Sequence, residues 1–209
     1  MIRSAAKAVL KAILSEKDFL NELDEKIGDG DHGSNMAGGA QAAKEALDTL
    51  DDDAGLKKVL QAVGEAFAAD VGGSAGYLYG AAILEAAKVV DENSKPDAVT
   101  LEKIFGAVVD AIQSRGNARL GDKTMLDVLI PIHEAFLAEN CAGKSFGEIL
   151  TQARDAARDG AETCKTLAAK KGRAAALGQK SVGFDDPGAA SALIIFRALC
   201  IQWRNILKL

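Results

Sequence analysis

The sequence predicts an all-α fold, a bundle of about eight amphipathic helices. Apolar residues recur at helical spacing nearly everywhere, so each segment has one stripe to bury. No segment alternates apolar and polar residues as a half-buried strand would. Three prolines in 209 residues, with many alanines, leave long helices uninterrupted.

The elements follow in order. Residues 2–14 are apolar but broken by Arg3, Lys7 and Lys11, which makes an amphipathic helix rather than a leader or a span. Helices follow over 16–26 and 34–49, the first two being either separate or one. In 54–70, Leu56, Val59, Leu60, Val63 and Phe67 keep the i, i+3, i+4 rhythm. A fifth helix covers 75–90. Asp91 to Ala98, with Asn93, Ser94 and Pro96, is a loop, and Thr100 is expected to cap the helix over 99–115. That helix has the stripe Leu101, Ile104, Phe105, Val108, Val109 and Ile112. Met125, Leu129, Ile132 and Phe136 mark another over 123–139, in which His133 reads as structural. Gly143 ends a helix and Ser145 caps the next, over 146–169. Lys170 to Asp186 is the longest irregular stretch, a length that often signals function. Asp186-Pro187 opens the last helix, which runs to the end and places Trp203 in the core. The short links favour antiparallel neighbours.

Composition limits the function classes. With 48 % hydrophobic and 26 % charged residues, the chain has an ordinary soluble balance. A net charge of −5 without a basic block argues against a nucleic-acid partner. No run reaches the roughly 18 apolar residues of a membrane span. Cys141, Cys164 and Cys200 form neither a pair nor a Cys-x-x-Cys, which points to a reducing cytoplasm.

The chemistry concentrates in Leu23 to Gly33. Asp24, Asp29 and Asp31 crowd three carboxylates around a glycine-rich turn, and hard oxygen ligands of this kind suit Mg²⁺ or Ca²⁺. A solvated acidic turn is the plainer alternative. Gly28-x-Gly30-x-x-Gly33 has dinucleotide-fingerprint spacing, but it follows a helical pattern instead of a strand. Counted as an EF-hand from Asp29, the loop has Ser34 and Ala40 at its two defining positions. Residues 138–145 mimic a P-loop, again after a helix. Mg²⁺ bridged to phosphate remains the fitting chemistry. Three later groups add to it. Gly72 to Gly80 is a glycine-rich turn in which Ser74 is expected to cap a helix whose N-terminus favours an anion. Gly116 and the run Gly121 to Met125 follow, with Lys123 read as exposed and Met125 as core or as a wall against a base. Lys170 to Arg173 is a basic loop that could reach phosphate.

Taken together, Gly28-Asp29-Gly30-Asp31-His32-Gly33-Ser34-Asn35-Met36, Gly72 to Gly80, Gly121 to Asp127 and Asp186-Pro187-Gly188 resemble the nucleotide-binding L subunit of dihydroxyacetone kinases. The resemblance covers nearly the whole chain. It implies one nucleotide-binding domain over 1–209, built as a closed antiparallel barrel of eight helices. It implies two Mg²⁺ ions on Asp24, Asp29 and Asp31. It implies ADP or ATP on His32, Gly33, Ser34, Asn35, Gly73, Ser74, Ala75, Gly116, Thr124, Met125, Arg173, Asp186, Pro187 and Gly188, with Arg173 as the catalytic cation. The implied partners are a ketose-binding K subunit, an M-type phosphoryl donor of the phosphotransferase system or a transcription regulator, in a homodimer or heterocomplex. Exchangeable ATP in place of resident ADP and a nucleotide-sensing module stay open, as does a lipid inside the barrel. Ser74-Ala75 and Tyr77 depart from the family's usual residues.

Overall fold

The computed structural model describes residues 1–70 and 73–208, apart from the side chains at 70, 73, 74 and 139. Among these residues the chain forms ten α-helices and two 3₁₀ turns, with no strand. They are α1 (Ile2–Ser15), α2 (Lys17–Ile27), α3 (His32–Asp48), α4 (Leu56–Asp70), α5 (Gly73–Lys88), α6 (Ala98–Gly116), α7 (Leu126–Phe136), the single turn α8 (Ala138–Cys141), α9 (Phe146–Lys165) and α10 (Pro187–Leu207).

Each helix buries one face, and the faces close a ring. Around it α1 packs on α3, then α4, α5, α6, α7, α9 and α10 follow, and α10 returns to α1. This is an eight-helix barrel, with α2 outside it against α3 and α10. The interior is closed by aromatic rings from three helices. Phe105 of α6 stacks on Phe136 of α7 at 5.7 Å, Phe196 of α10 meets both edge-on, and Trp203 packs 6.2 Å from Phe196. By length and composition α10 could cross a membrane. Its apolar residues Ala189, Ala192, Phe196, Cys200 and Trp203 are instead buried in the ring.

Helix ends shift from their expected places where side chains or tertiary bonds claim backbone groups. α3 begins at His32, two residues early, because Asp24 accepts the N–H groups of Asp31 and His32. α6 begins at Ala98, and its cap is Asp97, which accepts the Thr100 N–H. Thr100 is therefore the capped residue and not the cap. α7 starts only at Leu126, since Gly121 and Lys123 are left-handed, and it stops at Phe136 where Leu137 turns extended. α9 is capped by Ser145 as expected, in a reciprocal capping box with Glu148, but ends at Lys165. The Ala169 N–H, which would continue it, donates to Ser181 Oγ, and the Lys170 N–H donates to the Asp122 carbonyl. The irregular stretch beyond contains 3₁₀ turns at Arg173–Ala176 and Gly178–Ser181.

Gly33 sets the distance between α2 and α3. A Cβ there would overlap the Lys17 carbonyl oxygen and lie 2.8 Å from Asn21 Oδ1. Asn21 in turn accepts the Ser34 N–H and donates to Ser34 Oγ. Gly33→Ala is expected to cost about 1–3 kcal/mol by overpacking, seen as a fall of roughly 5 °C in Tm. An unchanged melting curve would show that α2 is not held this closely.

Candidate functional site

Alternating helix direction brings the N-terminal ends of α3, α5, α7 and α10 to one rim, with the C-terminal ends of α2 and α6. They surround a cavity of about 240 Å³. The positive ends of the helix dipoles make such a rim favourable for anions.

The carboxylates stand at its edge. Asp24 is buried, and its Oδ2 accepts the N–H groups of Asp31 (3.0 Å) and His32 (3.1 Å), so it caps α3 from the neighbouring helix. The turn must wrap closely around it. A Cβ on Gly28 would strike the Asp24 carboxylate, and Gly30 is left-handed at φ +78°. This fold of the turn gathers Asp24, Asp29 and Asp31 with one oxygen of each within 4.8 Å of the others. Three converging carboxylates fit a hard divalent cation. On the described structure Asp29 is paired with Arg173, whose side chain is otherwise well exposed.

His32 turns inward from this cluster. Its Nε2 lies 3.0 Å from Ser191 Oγ, which lies 2.9 Å from the Tyr79 hydroxyl. Burial pushes the imidazole below its ordinary pKa, opposed by the Asp24 and Asp31 charges. Burial likewise raises the Tyr79 phenol. Asp186 caps α10 through the Ala189 N–H at 2.7 Å. Loss of solvent pushes its carboxyl up to about 7, against the pull of that N–H and of the Lys123 charge.

Thirteen of the residues expected from the sequence line this one cavity: Asp24, Asp29, Asp31, His32, Asn35, Ala75, Gly116, Thr124, Met125, Arg173, Asp186, Pro187 and Gly188. Gly33 and Ser34 are spent on the α2–α3 contact. The backbone of Gly73 opens α5, while the side-chain site of Ser74, and with it the expected cap, lies outside the described residues. The structure adds Leu78, Ile112 and Ala118, an apolar wall continuing Met125, and brings Lys171 of the expected basic loop beside Arg173. It also corrects Lys123, which is 1 % exposed and lines the cavity. Ser191 carried no signal in the sequence, because a serine within an apolar helix reads as filler.

Comparison with known proteins identifies the group. The DAK2 domain model matches residues 26–201. The chain belongs to the DAK2 domain family. It is 38 % identical over 187 residues to the PEP-dependent dihydroxyacetone kinase 1, ADP-binding subunit DhaL, of Listeria innocua, covering 90 % of this chain and 88 % of that one. It is 35 % identical to the corresponding Escherichia coli subunit, over 90 % and 89 % of the two chains. Against the L-erythrulose 1-kinase of Mycolicibacterium smegmatis the identity is 38 %, but the match spans only 31 % of that longer protein. Among solved structures, the dihydroxyacetone kinase from C. freundii in complex with AMP-PNP and Mg²⁺ superposes with a TM-score of 0.73 at 28 % identity, over 96 % of this chain and 33 % of that one. The chain is thus a DhaL-type member of a phosphotransferase family.

Asp186 yields a pH prediction. Its folded pKa of about 7 exceeds the ordinary 3.8, so the folded state holds the extra proton between those values. Stability contributed by this group is present at low pH and declines as pH rises from about 4 through 7. Asn keeps the helix cap and does not titrate. Measured with chelator present, the Tm of wild type is expected to fall relative to Asp186→Asn across that range. A difference independent of pH would refute the raised carboxyl.

Proposed function

We propose that this chain is the nucleotide-binding subunit of a dihydroxyacetone-type kinase. It presents a Mg²⁺-bound nucleotide for phosphoryl transfer to dihydroxyacetone, or a related small ketose, held on a separate K subunit. ADP stays bound as a cofactor and is rephosphorylated by an M-type protein of the phosphotransferase system, in the cytoplasm. The observation that carries this reading is the meeting of three convergent carboxylates with four helix N-termini in one cavity. The ADP-binding subunits matched over most of their length support it further.

Asp24, Asp29 and Asp31 hold the metal, with two ions expected. Bound there, Mg²⁺ supplies positive charge to the phosphate oxygens. The chain's own residues do the rest by positioning. The starts of α3, α5 and α10 aim backbone dipoles at the phosphates. Met125, Leu78, Ile112 and Ala118 form the apolar side against the base, and Gly116 leaves room beside it. Arg173 exchanges its Asp29 partner for the nucleotide's terminal oxygens, where a guanidinium stabilises spreading negative charge. The ketose and the group that activates its hydroxyl belong to the K subunit. A second reading, exchangeable ATP as the donor, draws support from the AMP-PNP and Mg²⁺ in the C. freundii kinase crystal.

Two measurements test this. Asp29→Ala is expected to abolish Mg²⁺-dependent ADP binding in calorimetry, and unchanged affinity would remove the metal assignment. Denaturing the purified protein is expected to release stoichiometric ADP that survived dialysis. An empty protein that turns over ATP with a K-type partner would select the second reading instead.

A further inference from the structure

Lys123 bears two costs at once. Its backbone is left-handed at φ +61°, where a side chain is strained and glycine is the usual choice. Its ammonium group is buried, and among the described residues no carboxylate lies within 4 Å of it. Burying an unpaired charge is expensive unless every donor is satisfied. Here every donor is satisfied: Nζ donates to the carbonyls of Cys164 (2.9 Å), Lys165 (3.3 Å) and Phe184 (2.7 Å). The first two close α9, whose C-terminal carbonyls favour a cation. The third lies two residues before the cap of α10.

Those three carbonyls are the two ends of one loop. The segment leaves α9 after Lys165, carries Arg173 at its middle and returns at Phe184. The Gly183 N–H to Lys165 carbonyl bond and the Lys165–Asp185 ion pair join the loop's ends to each other. Lys123 joins both ends to the α6–α7 turn, which supplies Thr124 and Met125 to the cavity wall. The loop's inner side rests on α2, with Ala169 and Ala174 packed on Ile27.

We infer that Lys123 is a positioning residue: it clamps the base of the Arg173 loop to the site wall, so that Arg173 is set over the phosphate end of the cavity. It rests on the nucleotide reading above. With three donors committed to three carbonyls, Lys123 has none left for a phosphate, so it acts through Arg173 and through a fixed charge in the wall. An apolar residue of similar length would fill the space but untie the two loop ends from the turn: the Cys164 and Lys165 carbonyls would keep the Leu167 and Gly183 N–H groups, and the Phe184 carbonyl would lose its ammonium partner.

The test is a mutant cycle on ADP affinity in the presence of Mg²⁺, by calorimetry, with folding checked by circular dichroism. Lys123→Gln is one bond shorter and loses the charge and one donor, and is expected to weaken binding about tenfold, close to the range for hydrogen bonds to charged groups. Arg173→Ala is expected to weaken it as well, and the double variant to bind about as weakly as the worse single one. A merely structural loss at Lys123 would instead multiply with that of Arg173→Ala. Multiplying losses, or wild-type affinity in Lys123→Gln, overturn the inference and leave the nucleotide reading standing. Wild-type protein that binds no ADP with Mg²⁺ overturns both. If Lys123→Gln does not fold, Lys123→Arg replaces it, since a planar fork cannot aim three donors at the same carbonyls. A loss that disappears in the Arg173→Ala background then supports the clamp. A loss that multiplies, or no loss, rejects it.

Discussion

The structure depends on closing a ring of eight helices whose directions alternate. Closure buries the apolar stripes, which is the main favourable term. Alternation has a second effect that no single helix contains. It collects the starts of α3, α5, α7 and α10 at one rim, where the positive ends of their dipoles face a shared cavity. The electrostatic character of the site is therefore a consequence of the architecture. The side chains at the rim, acidic at Asp24, Asp29 and Asp31 and basic at Lys171 and Arg173, refine it.

Like charges gathered at such a rim have to be held. Asp24 is stabilised by two backbone N–H groups, Asp186 by one, and Asp29 by Arg173. Each of these contacts also fixes an element. Asp24 starts α3, Asp186 starts α10, and the Asp29–Arg173 pair sets the 3₁₀ loop against the glycine turn. The same carboxylates thus serve folding besides the chemistry proposed for them. Lys123 does the corresponding work from the basic side, gathering carbonyls where the aspartates gather N–H groups.

The relatives differ in length. The chain matches the DhaL subunits across most of their length and about a third of the larger kinases.

Much of this was legible in the sequence, for identifiable reasons. Helical periodicity is local, so the helices were readable, as were the Ser145 cap and the Asp186-Pro187 start. The acidic turn was readable because Asp24, Asp29 and Asp31 are close in the chain. Tertiary structure alone decided the rest. It turned Lys123 from an exposed side chain into a buried clamp, since its partners lie 41 to 61 residues away. It placed Ser191 beside His32 across 159 residues. It gave Gly33 to packing, and turned the chain away after α9, where Ser181 and Asp122 claim the Ala169 and Lys170 N–H groups. Periodicity and short motifs record what a segment does with its neighbours in sequence. Which distant carbonyl meets which ammonium is fixed only when the ring closes.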